Sequence, residues 1–314
     1  MQSRGQTAIE CRVRIPPAAC GVNPDLHFLP RGFPPHPSRA VCANCVAGPY
    51  DADTMETGDE HRQYELAFET SGDAGEVALA CAGEVLDRIT LREPRAHART
   101  FVAAVAEICN RHSVRSIDIG ALFVSIGPGS FTGLRIGVTV TKMLSFAIAR
   151  STGKEPAVVG VPTLQVIAQN ALTLADAPKE VAVFIDAMRG RVFAATFRCD
   201  AADEPRRDNR DENPLAYRPF DEAREVEPAA YLASLDPRCG VMGDGVRRHR
   251  DVCVASGLRI LPEELFAPRA DVVYHLGRAM LRRGETTPPR MLTPLYIRVP
   301  DAEEKWQAKH GAGA

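Results

Sequence analysis

The hydrophobic pattern of the chain becomes regular from residue 64 onward. Tyr64–Phe68 (YELAF) predicts a strand. Glu76–Cys81 and Glu84–Leu91 alternate between apolar and polar positions on either side of an Ala-Gly pair, which predicts a hairpin. Arg99–Arg111 has apolar residues at helical spacing and predicts a helix, whereas Ala121–Ile126 (ALFVSI) is a short apolar run that indicates a buried strand.

The stretch GPGSFTGLRIG, Gly127 to Gly137, joins this buried strand to a long apolar helix, Thr132–Ala149. It completes no phosphate-binding motif, because no lysine follows as in a Walker loop and Thr132 stands where a dinucleotide fingerprint has glycine. Free amide groups near a Ser130 or Thr132 N-cap would still favour an anion. Two interpretations stay open: a tight strand–helix turn with an ordinary cap, which the spacing alone favours, and an anion site. The candidate anion-site residues of the loop are Gly127, Gly129, Ser130 and Thr132.

The helix that follows the loop has two uncharged ridges. Its small residues recur at every fourth position: Gly133, Gly137, Thr141, Ser145 and Ala149. Beside them lies a ridge of large apolar residues: Ile136, Val140, Leu144 and Ile148. A ridge of small residues lets another backbone approach closely, and one sheet covers only one side of a helix. The second side therefore needs another helix, which either this chain or a partner protein supplies.

The opening pattern of strand, carboxylate, turn and strand occurs a second time. Val181–Ile185 predicts a strand that ends at Asp186, and Arg191–Phe197 predicts the return strand after a turn at Met188–Gly190. In the first copy Glu69 holds the place of Asp186. The repeat predicts an internally duplicated α/β protein. Further predicted elements are a strand at Ala157–Val159, helices at Pro162–Leu174, Pro228–Ala233 and Ala270–Arg283, and a short strand with a glycine turn at Gly240–Gly245.

Composition and charge exclude several classes of protein. The 314 residues carry a net charge of −2, so the chain has no broad surface for a polyanion. No apolar run approaches the length of a membrane span and no signal pattern opens the chain, which predicts a cytoplasmic location with reduced cysteines. Arg247, Arg248 and Arg250 form a local basic cluster, which is interpreted as a solvated turn.

Residues 1–60 differ in composition from the rest of the chain. They hold eight of the 24 prolines and show no periodicity, which predicts a disordered extension. Met55 is a candidate for the physiological start of the protein. Cys42 and Cys45 have zinc-ligand spacing, but no second pair completes a site, so no metal site is predicted.

Four segments together resemble the bacterial TsaB (YeaZ) family. They are GPGSFTGLRIG, VGVPTL (159–164), IDAMRGRVF (185–193) and PLYIRVPDAEEKW (294–306). The resemblance covers about residues 64–306 and implies the duplicated actin/sugar-kinase/Hsp70-type (ASKHA, RNase H-like) α/β fold, with mixed sheets flanked by helices and an abbreviated second half. The expected parts are a first subdomain at 61–163, a smaller second subdomain at 164–290 and a C-terminal segment at 291–314.

The resemblance also implies a function and partners. The chain would be an accessory, non-catalytic subunit of the complex that transfers threonylcarbamoyl to the tRNA adenosine beside the anticodon. It would pair with a paralogous TsaD-type catalytic subunit, act with a TsaE-type ATPase, and meet tRNA only through the complex, away from any membrane. It would bind no cofactor or metal alone, whereas ATP or ADP and Mg²⁺ would lie at the complex interface. A homodimer through the same helices is an alternative state.

The expected partner interface comprises the helices Arg99–Arg111 and Thr132–Ala149. The interface residues that the resemblance implies are Phe101, Val105, Ile108, Gly133, Arg135, Gly137, Val140, Thr141, Leu144 and Ser145. A bulky change at Gly137 is expected to abolish pairing.

Departures from the family's catalytic patterns favour the accessory role. The paralogue's metal site needs a His-x-x-x-His pair, and here Phe101 stands four residues after His97. Glu69 replaces the aspartate that usually ends the family's first strand, and its extra methylene would displace the carboxylate from a nucleotide–metal cleft. Asp186 is expected to accept backbone hydrogen bonds from its own turn. The alternatives are a stand-alone ASKHA kinase or ATPase that uses Glu69, Asp186 and the glycine loop and, ranked last, a peptidase, because Ser130 has no evident base.

Overall fold

The structure, a computed structural model, describes residues 64–91, 98–199 and 217–298. The predictions about residues 1–60, which include Met55 and the pair Cys42 and Cys45, lie outside the described residues. His97 and residues 299–314 lie outside them as well.

The first half of the described chain builds a five-stranded sheet. Its strands are β1 (Tyr64–Glu69), β2 (Gly75–Cys81), β3 (Glu84–Leu91), β4 (Ile119–Gly127) and β5 (Ala157–Pro162). They lie in the order β3-β2-β1-β4-β5; the β1–β2 and β2–β3 pairs are antiparallel, and the β1–β4 and β4–β5 pairs are parallel. The predicted hairpin is confirmed, and Ala82 and Gly83 both have the positive φ angles (51° and 95°) that a tight two-residue turn requires.

Helices cover both faces of this sheet, because its central strands are apolar on both. Alternate residues of β1 enter opposite layers. Leu66 packs in the layer that contains α1 (Ala98–Arg111) and α2 (Phe131–Thr152). Ala67 packs in the layer that contains α7 (Ala270–Arg282). The sheet is therefore buried on both sides, as parallel strands generally are.

The second half repeats this arrangement with shorter strands. Its strands are β6 (Glu180–Asp186), β7 (Val192–Cys199), β8 (Tyr217–Pro219), β9 (Arg224–Val226), β10 (Gly240–Met242) and β11 (Arg259–Ile260). Their order is β11-β10-β6-β7-β8, with β9 also paired to β7. As in the first sheet, the leading strand β6 pairs antiparallel with the next strand and parallel with the strand on its other side. The predicted duplicated α/β fold is confirmed.

Helices α3 to α6 connect and cover the second sheet. They are α3 (Thr163–Gln169), α4 (Pro228–Leu232), α5 (Asp244–Arg248) and α6 (Arg250–Ala255). The sequence pattern does not predict α5 and α6, because elements of five and six residues are too short to show a helical period. They contain the basic cluster, so these arginines lie on helices rather than in a turn.

Helix α7 follows the second sheet in sequence but packs on the first. Tyr274 donates a hydrogen bond to the buried Glu65 of β1 at 2.7 Å, and its ring lies 5.8 Å from that of Phe123. The expected second subdomain, 164–290, thus contributes an element to the first layer, because the small residues on the second face of that sheet need an apolar cover. The subdomain boundaries themselves stay predictions.

The length and hydropathy of α2 correct the expectation that no segment approaches the length of a membrane span. Within the described residues it is the one helix long and apolar enough to cross a membrane, with 22 residues and a mean hydropathy of 1.2 over an 18-residue window. A core helix of a folded domain passes the same test. Seven residues of α2, from Leu134 to Ile148, are buried against the rest of the protein.

Candidate functional site

The glycine loop packs against the turn that joins β1 to β2. The amide of Ser130 donates to the carbonyl oxygen of Ser71 at 2.8 Å. A Cβ atom at Gly129 would lie 2.5 Å from that oxygen, and one at Gly133 would lie 1.8 Å from the carbonyl oxygen of Thr70. The glycines therefore make room for the chain's own backbone. The Ser130 hydroxyl accepts the Gly133 amide at 3.3 Å, which is the ordinary cap of the first interpretation.

The residues of the alternative anion site differ in exposure. Ser130 and Thr132 are exposed and Gly129 is partly exposed. Gly127 is buried, and a Cβ atom there would lie 3.0 Å from the carbonyl oxygen of Leu295. An anion would therefore reach only the helix side of the loop, and the anion site stays a prediction.

The small-residue ridge of α2 is covered by the same turn and by β4. A Cβ atom at Gly137 would lie 2.4 Å from Oγ1 of Thr70 and 3.3 Å from Cγ2 of Val124. Further along the helix, Thr141 and Ser145 are 0% and 1% exposed. The expectation that a partner covers this ridge needs correction, because the close approach is made within the chain. A bulky change at Gly137 would disturb the fold before it could report on pairing.

Four other predicted interface residues also lie in the core. Phe101, Val105 and Ile108 of α1 are buried, as is Val140 of α2. The ring of Phe101 packs edge to face on Phe68 at 5.6 Å. Their helical spacing marks the side of each helix that faces the sheet, so they are unavailable to a partner.

The two helices present different apolar side chains to the outside. Val102 of α1 is 46% exposed, and Met143 and Phe146 of α2 are 63% and 68% exposed. Among the predicted interface residues, Arg135 is exposed on α2 and Leu144 is half-buried. Helices α1 and α2 contact each other and pack on the same face of the first sheet. Val102, Met143 and Phe146 define what we call the outer face.

A cleft of about 600 Å³ lies where the turns that follow β1 and β6 meet. Its lining comes from the β1–β2 turn, the glycine loop, the β6–β7 turn and the C-terminal segment: Ser71–Asp73, Pro128–Phe131, Asp186–Met188 and Leu295–Arg298. Asp244, at the start of α5, lies in the same wall. The duplicated turns thus bring the two halves of the fold together around one cavity.

Glu69 is turned into the protein and does not line this cleft. Its side chain is 0% exposed, and its Oε1 accepts hydrogen bonds from the amides of Ser71 and Gly72 and from the Ser71 hydroxyl. Its Oε2 is buried without a hydrogen-bond partner among the described residues. Burial raises the pKa of Glu69, although the hydrogen bonds from Ser71 act in the opposite direction. The Glu69 carboxylate thus stabilises the β1–β2 turn by accepting hydrogen bonds from it.

Asp186 holds the second turn in a related way. Its Oδ1 accepts the amide of Met188 at 3.0 Å, which confirms the predicted backbone hydrogen bond. Its Oδ2 lies 3.5 Å from Nε of Arg248. Its own amide donates to Oδ1 of Asp244 at 3.2 Å. The carboxylate therefore ties the β6–β7 turn to α5.

The residues of the cleft fit the phosphates of a nucleotide poorly. A phosphate there needs backbone amides that point at it. The Ser71 and Gly72 amides are taken by Glu69, and the Met188 amide is taken by Asp186. The described residues also contain no group of three His, Cys, Asp or Glu side chains arranged to hold a metal ion.

The arginines of the basic cluster are paired with carboxylates of the same chain. Arg247 and Arg250 lie 3.6 and 3.5 Å from the carboxylate of Glu263, and Arg248 pairs with Asp186. Exposed pairs of this kind are weak, but they lower the local positive charge.

Comparisons with known proteins agree with the fold and identify the family. The TsaB protein of Escherichia coli K12, a tRNA threonylcarbamoyladenosine biosynthesis protein, is 30% identical over 236 residues, which cover 74% of this chain and 94% of that relative. The chain belongs to the TsaB family. It therefore takes part in the biosynthesis of tRNA threonylcarbamoyladenosine.

Part of this TsaB-family protein is also similar to tRNA N6-adenosine threonylcarbamoyltransferases. A family model described as TsaD, tRNA N6-adenosine threonylcarbamoyltransferase, matches residues 84–206. The tRNA N6-adenosine threonylcarbamoyltransferase of Bacillus subtilis 168 is 33% identical over 106 residues, which cover 28% of this chain and 30% of that enzyme. The solved structure of YeaZ from Pseudomonas aeruginosa has a TM-score of 0.59 and 23% identity, and covers 74% of this chain and 99% of that one. It supports the fold.

Several residues that form the cleft of this TsaB-family protein escape sequence reasoning. Asp73 and Asp244 stand alone in the sequence, and only folding brings them into one wall. Tyr296 and Arg298 do carry a signal, because they belong to the C-terminal segment on which the family resemblance partly rests. Thr70, whose backbone occupies the space that Gly133 leaves free, gives no signal at all.

Proposed function

We propose that this chain is an accessory, non-catalytic subunit that pairs with a TsaD-type transferase subunit and supports it. The observation that carries the proposal is the outer face, where Met143 and Phe146 are more than 60% exposed. Burial of each such side chain in an interface contributes about 1.5–3 kcal/mol. Aromatic residues and methionine are enriched in the interfaces between proteins.

The arrangement of the cleft supports the non-catalytic part of the proposal. The carboxylates that end β1 and β6, Glu69 and Asp186, both bind the backbone of their own turns. A kinase-type reaction would need these groups for a substrate or a metal ion. The Ser130 hydroxyl binds the Gly133 amide, which does not support a nucleophilic role.

The other partners follow from the same proposal. A TsaE-type ATPase joins the pair in the cytoplasm, and tRNA is held through the complex rather than by this chain alone. ATP or ADP with Mg²⁺ binds at the interface of the complex. When the TsaD-type subunit is scarce, the outer face mediates a homodimer.

The test is reconstitution with the TsaD-type subunit of the same organism. The dissociation constant of the pair is measured by calorimetry and its mass by light scattering. Phe146→Glu is expected to weaken pairing at least about tenfold, because it places a charge in an apolar contact. Val254→Glu is the matched control, since Val254 is 60% exposed but lies on α6. Pairing that is equally tight in both variants would contradict the outer-face assignment.

Activity provides a second readout. The chain alone is expected to transfer no threonylcarbamoyl to tRNA, and addition of the TsaD-type and TsaE-type proteins is expected to give transfer. Transfer by the purified chain, or micromolar ATP binding without a partner, would overturn the accessory role.

A further inference from the structure

The exposed side of α2 carries cations as well as apolar side chains. Lys142, Phe146 and Arg150 follow one another at every fourth position, and Arg135 lies seven residues before Lys142. This spacing places all four on one side of the helix. Arg135 and Arg150 are exposed, and Lys142 is partly exposed. We call Arg135, Lys142 and Arg150 the cationic stripe, and it runs along the part of the outer face that α2 supplies.

The cationic stripe has no counter-charge within the part of the chain that the structure describes. None of the 22 residues of α2 is aspartate or glutamate, and none of the three cations forms an ion pair with a described residue. On the neighbouring α1, Glu107 is already paired with Arg111. The whole chain has a net charge of −2, so this positive charge is a local feature that is available to a partner protein.

The stability of α2 does not explain the stripe. A cation in the last turn interacts favourably with the helix dipole, which accounts for Arg150. Lys142 lies in the middle of the helix, and Arg135 lies near the N-terminus, where the dipole favours negative charge. Two of the three cations therefore gain nothing from the helix itself.

Arg135 is already held in place in the free chain. Its guanidinium carbon lies 4.4 Å from the centre of the Phe131 ring, and that ring in turn lies 5.3 Å from the ring of Tyr296. A cation stacked on an aromatic ring has lost part of its conformational freedom before a partner arrives. Less entropy is then lost on binding, so Arg135 is preorganised to contact an anionic group.

We infer that the surface of the TsaD-type subunit that covers the outer face is acidic. Its aspartate or glutamate carboxylates accept hydrogen bonds from the cationic stripe, beside the apolar contact with Met143 and Phe146. Positive and negative patches that meet in this way steer association and reject wrong partners. The inference rests on the proposed function and adds to it the chemical character of the partner surface.

The same charges disfavour a second copy of this chain as the occupant. A two-fold homodimer through α2 uses the same surface twice, so the stripe of one copy would face the stripe of the other. Because α2 supplies no carboxylate, the cations would repel one another there. The stripe thus selects the heterodimer, and the homodimer is the weaker state.

Salt distinguishes the two pairings. The dissociation constants of the heterodimer and of the homodimer are measured by analytical ultracentrifugation from about 50 to about 500 mM NaCl. Screening is expected to weaken the heterodimer several-fold, because it reduces an attraction, and to strengthen the homodimer, because it reduces a repulsion. A heterodimer that is insensitive to salt or becomes tighter would overturn the inference.

Lys142→Glu is expected to change the two pairings in opposite directions. It lowers the net charge of α2 from +3 to +1, because an anion replaces one of the three cations. The heterodimer should weaken about tenfold, whereas the homodimer should become tighter. Lys179→Glu makes the same change at an exposed position just before β6 and is expected to affect neither pairing.

Two results of this experiment would count against the inference. If Lys142→Glu binds the TsaD-type subunit as tightly as Lys179→Glu does, the inference is overturned, while outer-face pairing, tested by Phe146→Glu, still stands. If Lys142→Glu weakens the heterodimer and the homodimer alike, the residue supports the surface without selecting the partner, and the inference is overturned as well.

Carbodiimide coupling identifies the group that lies opposite Lys142. The reagent joins a lysine amine to a neighbouring carboxylate as an amide, and mass spectrometry locates the product. In the assembled pair, Lys142 is expected to be joined to an aspartate or glutamate of the TsaD-type subunit. A yield no higher than that from Lys179, or a product that joins Lys142 to a second copy of this chain, would overturn the inference.

Discussion

At the scale of single residues, the Glu69 carboxylate does not line the cleft and instead stabilises the β1–β2 turn. It ends β1, directly before the β1–β2 turn. It is fully buried and accepts three hydrogen bonds from Ser71 and Gly72. Burial makes the charged form of Glu69 costly and raises its pKa, although the hydrogen bonds from Ser71 act in the opposite direction.

This burial predicts a pH dependence of stability. The pKa of Glu69 is raised in the folded state above its ordinary 4.5, so the folded state binds the proton more tightly. The stabilisation is complete below that ordinary value and is lost as the pH rises through the folded-state pKa, at about 1.4 kcal/mol per pH unit. Glu69→Gln is expected to remove this loss, which urea unfolding between pH 4.5 and 8 measures. An equal slope in parent and variant would contradict it.

At the scale of elements, one side of α2 packs inside the chain and the other side is exposed. The ridge of Gly133 and Gly137 receives Thr70 from the β1–β2 turn. The opposite flank exposes Met143 and Phe146. The glycines thus fix the position of the helix within the chain, and this position determines where the outer face stands. A substitution on one flank should change stability, and one on the other should change pairing.

Gly137→Ala tests the inner flank. Its new methyl group would approach Oγ1 of Thr70, so we expect a loss of roughly 1–3 kcal/mol in the free energy of unfolding. Thr70→Ala removes that oxygen and is expected to reduce the loss in the double variant. Thr139→Ala, on the exposed side of α2, is the control and is expected to change stability by less than about 0.5 kcal/mol. Additive effects of Gly137→Ala and Thr70→Ala would contradict the proposed contact.

At the scale of the whole molecule, the C-terminal segment joins the two halves across the cleft. Leu292 is buried in the core of the first half, and the amide of Leu295 donates to the carbonyl of Ile126 at 2.7 Å. Arg298 then donates to the carbonyl of Ala187 in the second half at 3.1 Å. The segment therefore contributes to the cleft and restrains its opening.

Arg298→Ala is expected to release this connection. Loss of its hydrogen bond to Ala187 and of its ion pair with Glu225 should cost roughly 1–3 kcal/mol of unfolding free energy. Amide hydrogen exchange in the β6–β7 turn should accelerate as well. Arg290→Ala, at an exposed arginine directly before this segment, is the control. Unchanged exchange in the turn would show that the segment does not restrain it.

The sequence alone determined the longer elements, the repeat and the sides of α1 and α2 that face the sheet. Alternation along β2 and β3, the helical spacing of Phe101, Val105 and Ile108, and the glycines before α2 are local patterns, and local sterics and hydrophobicity produce them. These patterns indicate which side chains become buried on folding.

Only the tertiary structure decided what covers those side chains. The ridge of Gly137 is sealed by Thr70, α7 returns to the first sheet, and Asp73 meets Asp244 in one wall. A periodic pattern indicates that a face is buried, but a core neighbour and a foreign subunit remove the same surface from water. The choice between them depends on contacts between residues that are far apart in the chain.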